Sequence, residues 1–90
     1  MKIEKGSGYP DVVLKSNSKD TVVVLEFKKG KKERRDLIAS AQYATGQIID
    51  EQYAEPYIKE DYSKVYGIGI GFGGKDCIVK SLGNMAEKTA

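Results

Sequence analysis

From Tyr66 to Gly73 every second residue is glycine: Tyr66, Ile68, Ile70 and Phe72 alternate with Gly67, Gly69, Gly71 and Gly73. Successive side chains of a strand point to opposite faces, so this segment reads as a β-strand with one large apolar face and one bare face. A bare face lets a helix or another backbone approach closely. The strand is expected over residues 64–72, followed by a hairpin turn at Gly73-Gly74-Lys75-Asp76 and a return strand over residues 77–80, with Cys77 buried in it. Gly69-x-Gly71-x-x-Gly74 has the spacing of a dinucleotide fingerprint. Its glycines fall in a strand and its turn, and a strand rather than a helix follows, so that reading is rejected.

The remaining elements follow from period and punctuation. Residues 6–10 (Gly-Ser-Gly-Tyr-Pro) form a turn cluster, residues 11–15 a short strand, and the polar residues 16–20 a hairpin loop. Residues 21–28 (Thr-Val-Val-Val-Leu-Glu-Phe-Lys) are β-branched and almost continuously apolar, which predicts a strand covered on both faces. Lys29-Gly30-Lys31-Lys32 breaks it. A helix is predicted from near Glu33 to about Tyr53, because Leu37, Ala41, Ala44 and Ile48 form one apolar stripe. Gly46 inside it costs about 1 kcal/mol against alanine. Pro56 ends the helix or opens one further turn. The expected fold is α/β, a mixed β-sheet with one main helix in the order β-β-α-β-β, with residues 1–80 as the domain and 81–90 as a frayed tail.

Ninety residues make one domain at most, with a modest core. A net charge of +2 is nearly neutral, so bulk charge does not argue for nucleic acid. With no histidine, catalytic triads and histidine-based metal sites are excluded. The single cysteine, Cys77, fits a reducing compartment. No segment has the roughly 20 apolar residues needed to span a membrane. The N-terminal residues lack the apolar core of a secretion signal, so a cytoplasmic protein with no membrane association is expected.

Alternation along the second strand puts Glu26 and Lys28 on one face, roughly 7 Å apart. In an antiparallel hairpin, Asp11 at the entry of the first strand would stand beside them. Two carboxylates suit a hard cation such as Mg²⁺, which takes oxygen ligands and keeps several waters. Lys28 would hold or polarise an attacking water, or stabilise developing charge. The plainer readings are turn chemistry for Asp11 and a solvated edge pair for Glu26 and Lys28. The basic run containing Lys29, Lys31, Lys32, Arg34 and Arg35 either neutralises phosphates next to the site or is a solvated loop and helix start. The tyrosines read as core or rim packing.

Pro10-Asp11, a spacer, and Glu26-Phe27-Lys28 have the form of the PD-(D/E)XK motif. The match extends in order and spacing through Glu4-x-Gly6-x-Gly8-x-x-Asp11, the Leu25 to Lys28 strand, Gln47-Ile48 with Tyr53-Ala54, and Tyr66-Gly67-Ile68-Gly69-Ile70. In these residues, spanning about 4–80, the chain resembles the restriction-endonuclease-like nucleases. Within them it resembles the nuclease-like domain found at the C-terminus of bacterial and archaeal AAA-type ATPase-like proteins. The resemblance implies a mixed sheet flanked by helices. It also implies Asp11 and Glu26 as ligands of Mg²⁺ or Mn²⁺, Lys28 serving the nucleophile, and Gln47 accompanying the site. Two departures stand out. Tyr9 occupies a position where the family commonly has arginine. The helix and first strand that precede the aspartate in such domains have no counterpart here, so a truncated restriction-endonuclease-like core is expected.

The function expected from residues and resemblance together is metal-dependent hydrolysis of DNA phosphodiester bonds by an activated water. The alternative is an inactive nucleic-acid-binding or protein-interaction module of the same fold. An incomplete core further predicts self-association into a homo-oligomer.

Overall fold

A computed structural model describes residues 9–18 and 20–86. Six elements follow in order: β1 (Val12–Lys15), β2 (Thr21–Lys29), α1 (Arg34–Asp50), α2 (Glu55–Lys59), β3 (Lys64–Gly73) and β4 (Asp76–Asn84). The strands make one sheet in the order β1-β2-β3-β4. The outer pairs β1/β2 and β3/β4 are antiparallel, whereas β2 and β3, joined through the helices, are parallel. This is the expected mixed α/β sheet with one main helix. The further turn opened by Pro56 is α2, where proline sits in the first turn and its missing N–H is no loss. The expected features at Glu4, Gly6 and Gly8 lie outside the described residues.

The first hairpin is fixed by Ser16. Its backbone N–H donates to the Thr21 carbonyl at 2.9 Å, and its hydroxyl accepts from the Thr21 N–H at 3.1 Å. The register that follows pairs Val12 with Leu25 and Lys15 with Val22.

The helix lies on the glycine face of β3. The predicted stripe Leu37, Ala41, Ala44 and Ile48 is buried, with Thr45 beside it. A Cβ added to Gly69 would stand 2.7 Å from the Ala41 carbonyl oxygen, and one added to Gly71 would overlap the Leu37 carbonyl oxygen. No side chain fits between these backbones, so glycine there is a condition of the packing. Toward the other end of the helix the core gathers Val22, Val24 and Val65 from the sheet with Ile48, Tyr53, Ala54 and Tyr62.

Four expectations need correction. First, β2 is not covered on both faces. Val22, Val24 and Glu26 are buried, but Val23 and Leu25 are half-buried and Phe27 is exposed. Among the described residues both helices pack on one side of the sheet. An apolar run reports that a strand is hydrophobic on both faces, not what covers each. Second, α1 stops at Asp50, because Gln52 adopts a left-handed backbone (φ +55°) that no α-helix continues through. Third, residues 81–84, expected in the tail, continue β4. Asn84 pins them: its side-chain oxygen accepts from the Val65 N–H at 2.9 Å, and the Met85 N–H donates to the Val65 carbonyl at 2.6 Å. Residues 87–90 of the expected tail lie outside the described ones. Fourth, Cys77 is exposed, on an edge strand and opposite Phe72 on the uncovered face.

No helix among the described residues is long and apolar enough to cross a membrane.

Candidate functional site

The β1/β2 register runs one step past Val12 and Leu25, which places Asp11 opposite Glu26. Here side chains take over from the ladder. The Asp11 N–H donates to Glu26 Oε1 at 3.0 Å, and the Phe27 N–H donates to Asp11 Oδ2 at 2.9 Å. Each carboxylate is thus fixed by the backbone of the other strand. Glu26 is only 5% exposed, while Asp11 is open to solvent.

Burial raises the Glu26 carboxyl above its ordinary value, and the Asp11 N–H works in the opposite direction. The neighbouring Asp11 carboxyl group and the charge of Glu51 add to the rise. Tyr53, also buried, has its hydroxyl pushed up, first by desolvation and then by the charges of Glu26, Glu51 and Asp11. The site is therefore a pair of carboxyl groups at the rim of the core, each held by the backbone of the other strand, with the charge of Glu51 and the Tyr53 hydroxyl acting on the same region.

Such a pair is unfavourable when doubly ionised and favours a shared proton or a cation between its oxygens. Each acid commits one oxygen to a backbone N–H, and the donor set is all oxygen. That suits a Mg²⁺- or Mn²⁺-like ion, which holds one or two carboxylates and keeps waters on its other positions. Among the described residues no third Asp, Glu, Cys or His joins them at metal-holding distance. The fit is for a site that relies on two protein ligands and solvent or substrate.

Lys28 lies two residues beyond Glu26 on the same face of β2, opposite Gly71 as Glu26 is opposite Gly69. Its ammonium rests 4.7 Å from the centre of the Tyr43 ring. With neither Asp11 nor Glu26 does it form an ion pair. A cation over an aromatic face is held by about 0.5–1 kcal/mol when exposed, so Lys28 is positioned but free to move. Gln47 follows Tyr43 by one helical turn, and the two line an open depression of about 300 Å³ with Gly46, Asp50 and Glu51. Gln47 is half-buried and, among the described hydrogen bonds, makes none to the acids. The structure thus brings Asp11 and Glu26 together, sets Lys28 on the same face, and leaves Gln47 on the flanking helix.

Lys29, Lys31, Lys32, Arg34 and Arg35 are all exposed, where β2 leaves the sheet and α1 begins. Arg35 pairs with Glu33 at 3.1 Å, an exposed contact of small worth. Sequence reasoning treated Tyr43 and Tyr53 as packing and did not single out Glu51. Tyr43 was within reach of the rule that residues four apart on a helix share a face, which sets it beside Gln47.

The raised Glu26 carboxyl has a consequence for stability. The folded protein holds this proton more tightly than the unfolded chain does. Ionising Glu26 therefore costs stability as pH rises through the raised value, and below the ordinary carboxylate range the cost is absent. Glu26→Gln removes the charge and keeps an oxygen for the Asp11 N–H. In metal-free buffer its melting temperature is expected to match wild type under acid and to exceed it at neutral pH. Parallel melting curves across the whole pH range would contradict this.

A family model described as the PD-(D/E)XK nuclease superfamily matches residues 1–82. No match was found among curated proteins or among solved structures.

Proposed function

The chain belongs to the PD-(D/E)XK nuclease superfamily, and from that premise we propose that it hydrolyses DNA phosphodiester bonds at the Asp11/Glu26 pair with a divalent cation, Mg²⁺ or Mn²⁺. The reciprocal bonding of the two acids carries the proposal, since it fixes two carboxyl groups on neighbouring strands near the exit of β2. A cation bound there would lower the pKa of a water and draw charge from a phosphoryl oxygen.

The chain's own residues supply the rest. Asp11 and Glu26 hold the ion through their oxygens. Lys28, a point charge with three donors and no acceptor, leaves the Tyr43 ring to hydrogen-bond the attacking water or the oxygen on which charge develops. The Gln47 side chain, on the neighbouring helix face, orients water or substrate through its amide. Lys29, Lys31, Lys32 and Arg34 meet the phosphates of the flanking backbone, which fixes position without reading sequence. The pattern from Glu4 to Ile70 supports placing the domain, taken as residues 1–80, in the branch joined to AAA-type ATPase-like proteins. The lone cysteine supports a reducing, cytoplasmic setting.

Incubating the chain with supercoiled plasmid and Mg²⁺ or Mn²⁺ tests the proposal. Cleavage is expected to need the divalent ion and to fall on the order of 10²-fold in Lys28→Ala. Cleavage unaffected by that substitution would exclude this site.

A second reading keeps the fold and drops the chemistry, leaving an inactive DNA-binding or interaction module. It is favoured by one observation: the acids have no third metal-holding partner among the described residues. Salt-sensitive DNA binding without specific Mn²⁺ uptake would select it.

A further inference from the structure

Lys28 stands between two attractions on the helix-covered face of the sheet. In the parallel register it is opposite Gly71, and Glu26 is opposite Gly69, so β3 puts no side chain beside either. On that side the side chains come from α1, which lies directly on the two glycines. The helix meets Lys28 with the Tyr43 ring, whose centre is 4.7 Å from the ammonium. On the other side stand the carboxyl groups of Asp11 and Glu26, each tied to backbone. Glu26 is two residues back on the same strand face, roughly 7 Å away at strand rise, which a flexible lysine stem can span. Resting on the metal reading of that pair, we propose that Tyr43 is a positioning residue. Its ring holds the Lys28 ammonium away from Asp11 and Glu26 and so keeps their oxygens open to a divalent cation.

An ammonium in reach of two acids is a rival of any metal ion, because both are cations drawn to the same oxygens. Among the described residues Lys28 nevertheless pairs with neither acid and rests on the ring. A cation over an exposed aromatic face and an exposed ion pair are of similar, small strength, so a well-placed ring decides between them. Tyr43 is well placed. Its helix cannot shift along β3, since a Cβ at Gly69 or Gly71 would already meet helix backbone. The acids are less available, because each commits one oxygen to a backbone N–H. Packing does not account for the ring: Tyr43 is 56% exposed and stands outside the core cluster.

The consequence is a linkage. With Lys28 on the ring, a divalent ion meets the two acids without displacing another cation. Without the ring Lys28 falls toward the acids, and the ion binds more weakly by the factor that the ring contact supplies, about 2- to 5-fold.

The test compares wild type with Tyr43→Phe, Tyr43→Leu, Lys28→Met and the double variant Tyr43→Leu/Lys28→Met. The first readout needs neither metal nor cleavage. In carbon–proton NMR spectra of the metal-free chain, the Lys28 ε-methylene protons are expected upfield of their ordinary position in wild type and Tyr43→Phe, because they lie over a ring. In Tyr43→Leu they are expected to return to it. The second readout is calorimetric titration with Mn²⁺. Tyr43→Phe is expected to bind as wild type does and Tyr43→Leu about 2- to 5-fold more weakly. The double variant is expected to bind as Lys28→Met does, an equality that a merely structural role for Tyr43 would not produce. An unshifted Lys28 in wild type, unchanged affinity in Tyr43→Leu, or a loss that persists in the Lys28→Met background would overturn the proposal. The two readings fail separately. A shifted Lys28 in a chain that takes up no Mn²⁺ would overturn the metal site and the role that rests on it. An unshifted Lys28 in a chain that binds Mn²⁺ would overturn the role of Tyr43 alone.

Discussion

Gly71→Ala is expected to remove a large share of the protein's stability, although it adds a single methyl group. The new Cβ would overlap the Leu37 carbonyl oxygen and stand 2.7 Å from the Ala41 backbone nitrogen and 3.0 Å from the Ser40 Cβ. Two of these neighbours are backbone of α1, so no rotamer change relieves the clash. The helix itself would have to lift off β3, opening the layer that buries Leu37, Ala41 and Ala44. Overpacking that moves backbone costs about 3 kcal/mol or more, against a total of about 5–15 kcal/mol for a domain. Gly46→Ala provides the opposite sign. Nothing lies within 4 Å of its added Cβ, and the residue sits inside α1. It is expected to stabilise by about 1 kcal/mol through helix propensity. Urea unfolding of the two variants checks both. A Gly71→Ala protein as stable as wild type would mean that α1 does not lie on β3 as described.

Glu26→Gln is expected to abolish cleavage while making the metal-free protein more stable at neutral pH. The two effects have one source. Holding a carboxylate at 5% exposure beside Asp11 is unfavourable, and only a cation or a proton relieves it. Glutamine keeps the shape and the bond from the Asp11 N–H but provides no negative charge for an ion. Losing a group that fixes transition-state charge lowers the rate on the order of 10³-fold. A structural role alone would give the reverse pattern, since a carboxylate kept for stability should be missed when it is replaced. Plasmid cleavage and thermal melts on the same preparation separate the cases. Retained cleavage, or a variant less stable at neutral pH, would count against a functional acid.

The sequence made the architecture legible where periodicity is local. Alternating glycines announced a helix laid on β3, and the Leu37, Ala41, Ala44 and Ile48 stripe supplied that helix. The Asp11–Glu26 contact was legible because a two-stranded antiparallel ribbon joins its entry to its exit, whatever the rest of the chain does. What escaped depends on distant partners. Val23, Leu25 and Phe27 are as apolar as Val22 and Val24, so the strand alone does not tell which face the helices choose. The anchoring of residues 81–84 rests on Asn84 reaching Val65, nineteen positions away in sequence, and no local pattern marks it. Lys28 offers the same lesson at the site. Strand alternation placed it beside Glu26, but its resting position over Tyr43 is set by the helix.

The claim on which the functional account depends is that the two carboxyl groups of Asp11 and Glu26, fixed on neighbouring strands, form a place for a divalent cation. Calorimetric titration of Mn²⁺ into the metal-free chain at neutral pH tests it without reference to cleavage, with Glu26→Gln and Asp11→Asn beside wild type. The account predicts saturation at one ion per chain for wild type and loss of that binding in both variants. Wild type that takes up no Mn²⁺, or variants that bind it as wild type does, would contradict it.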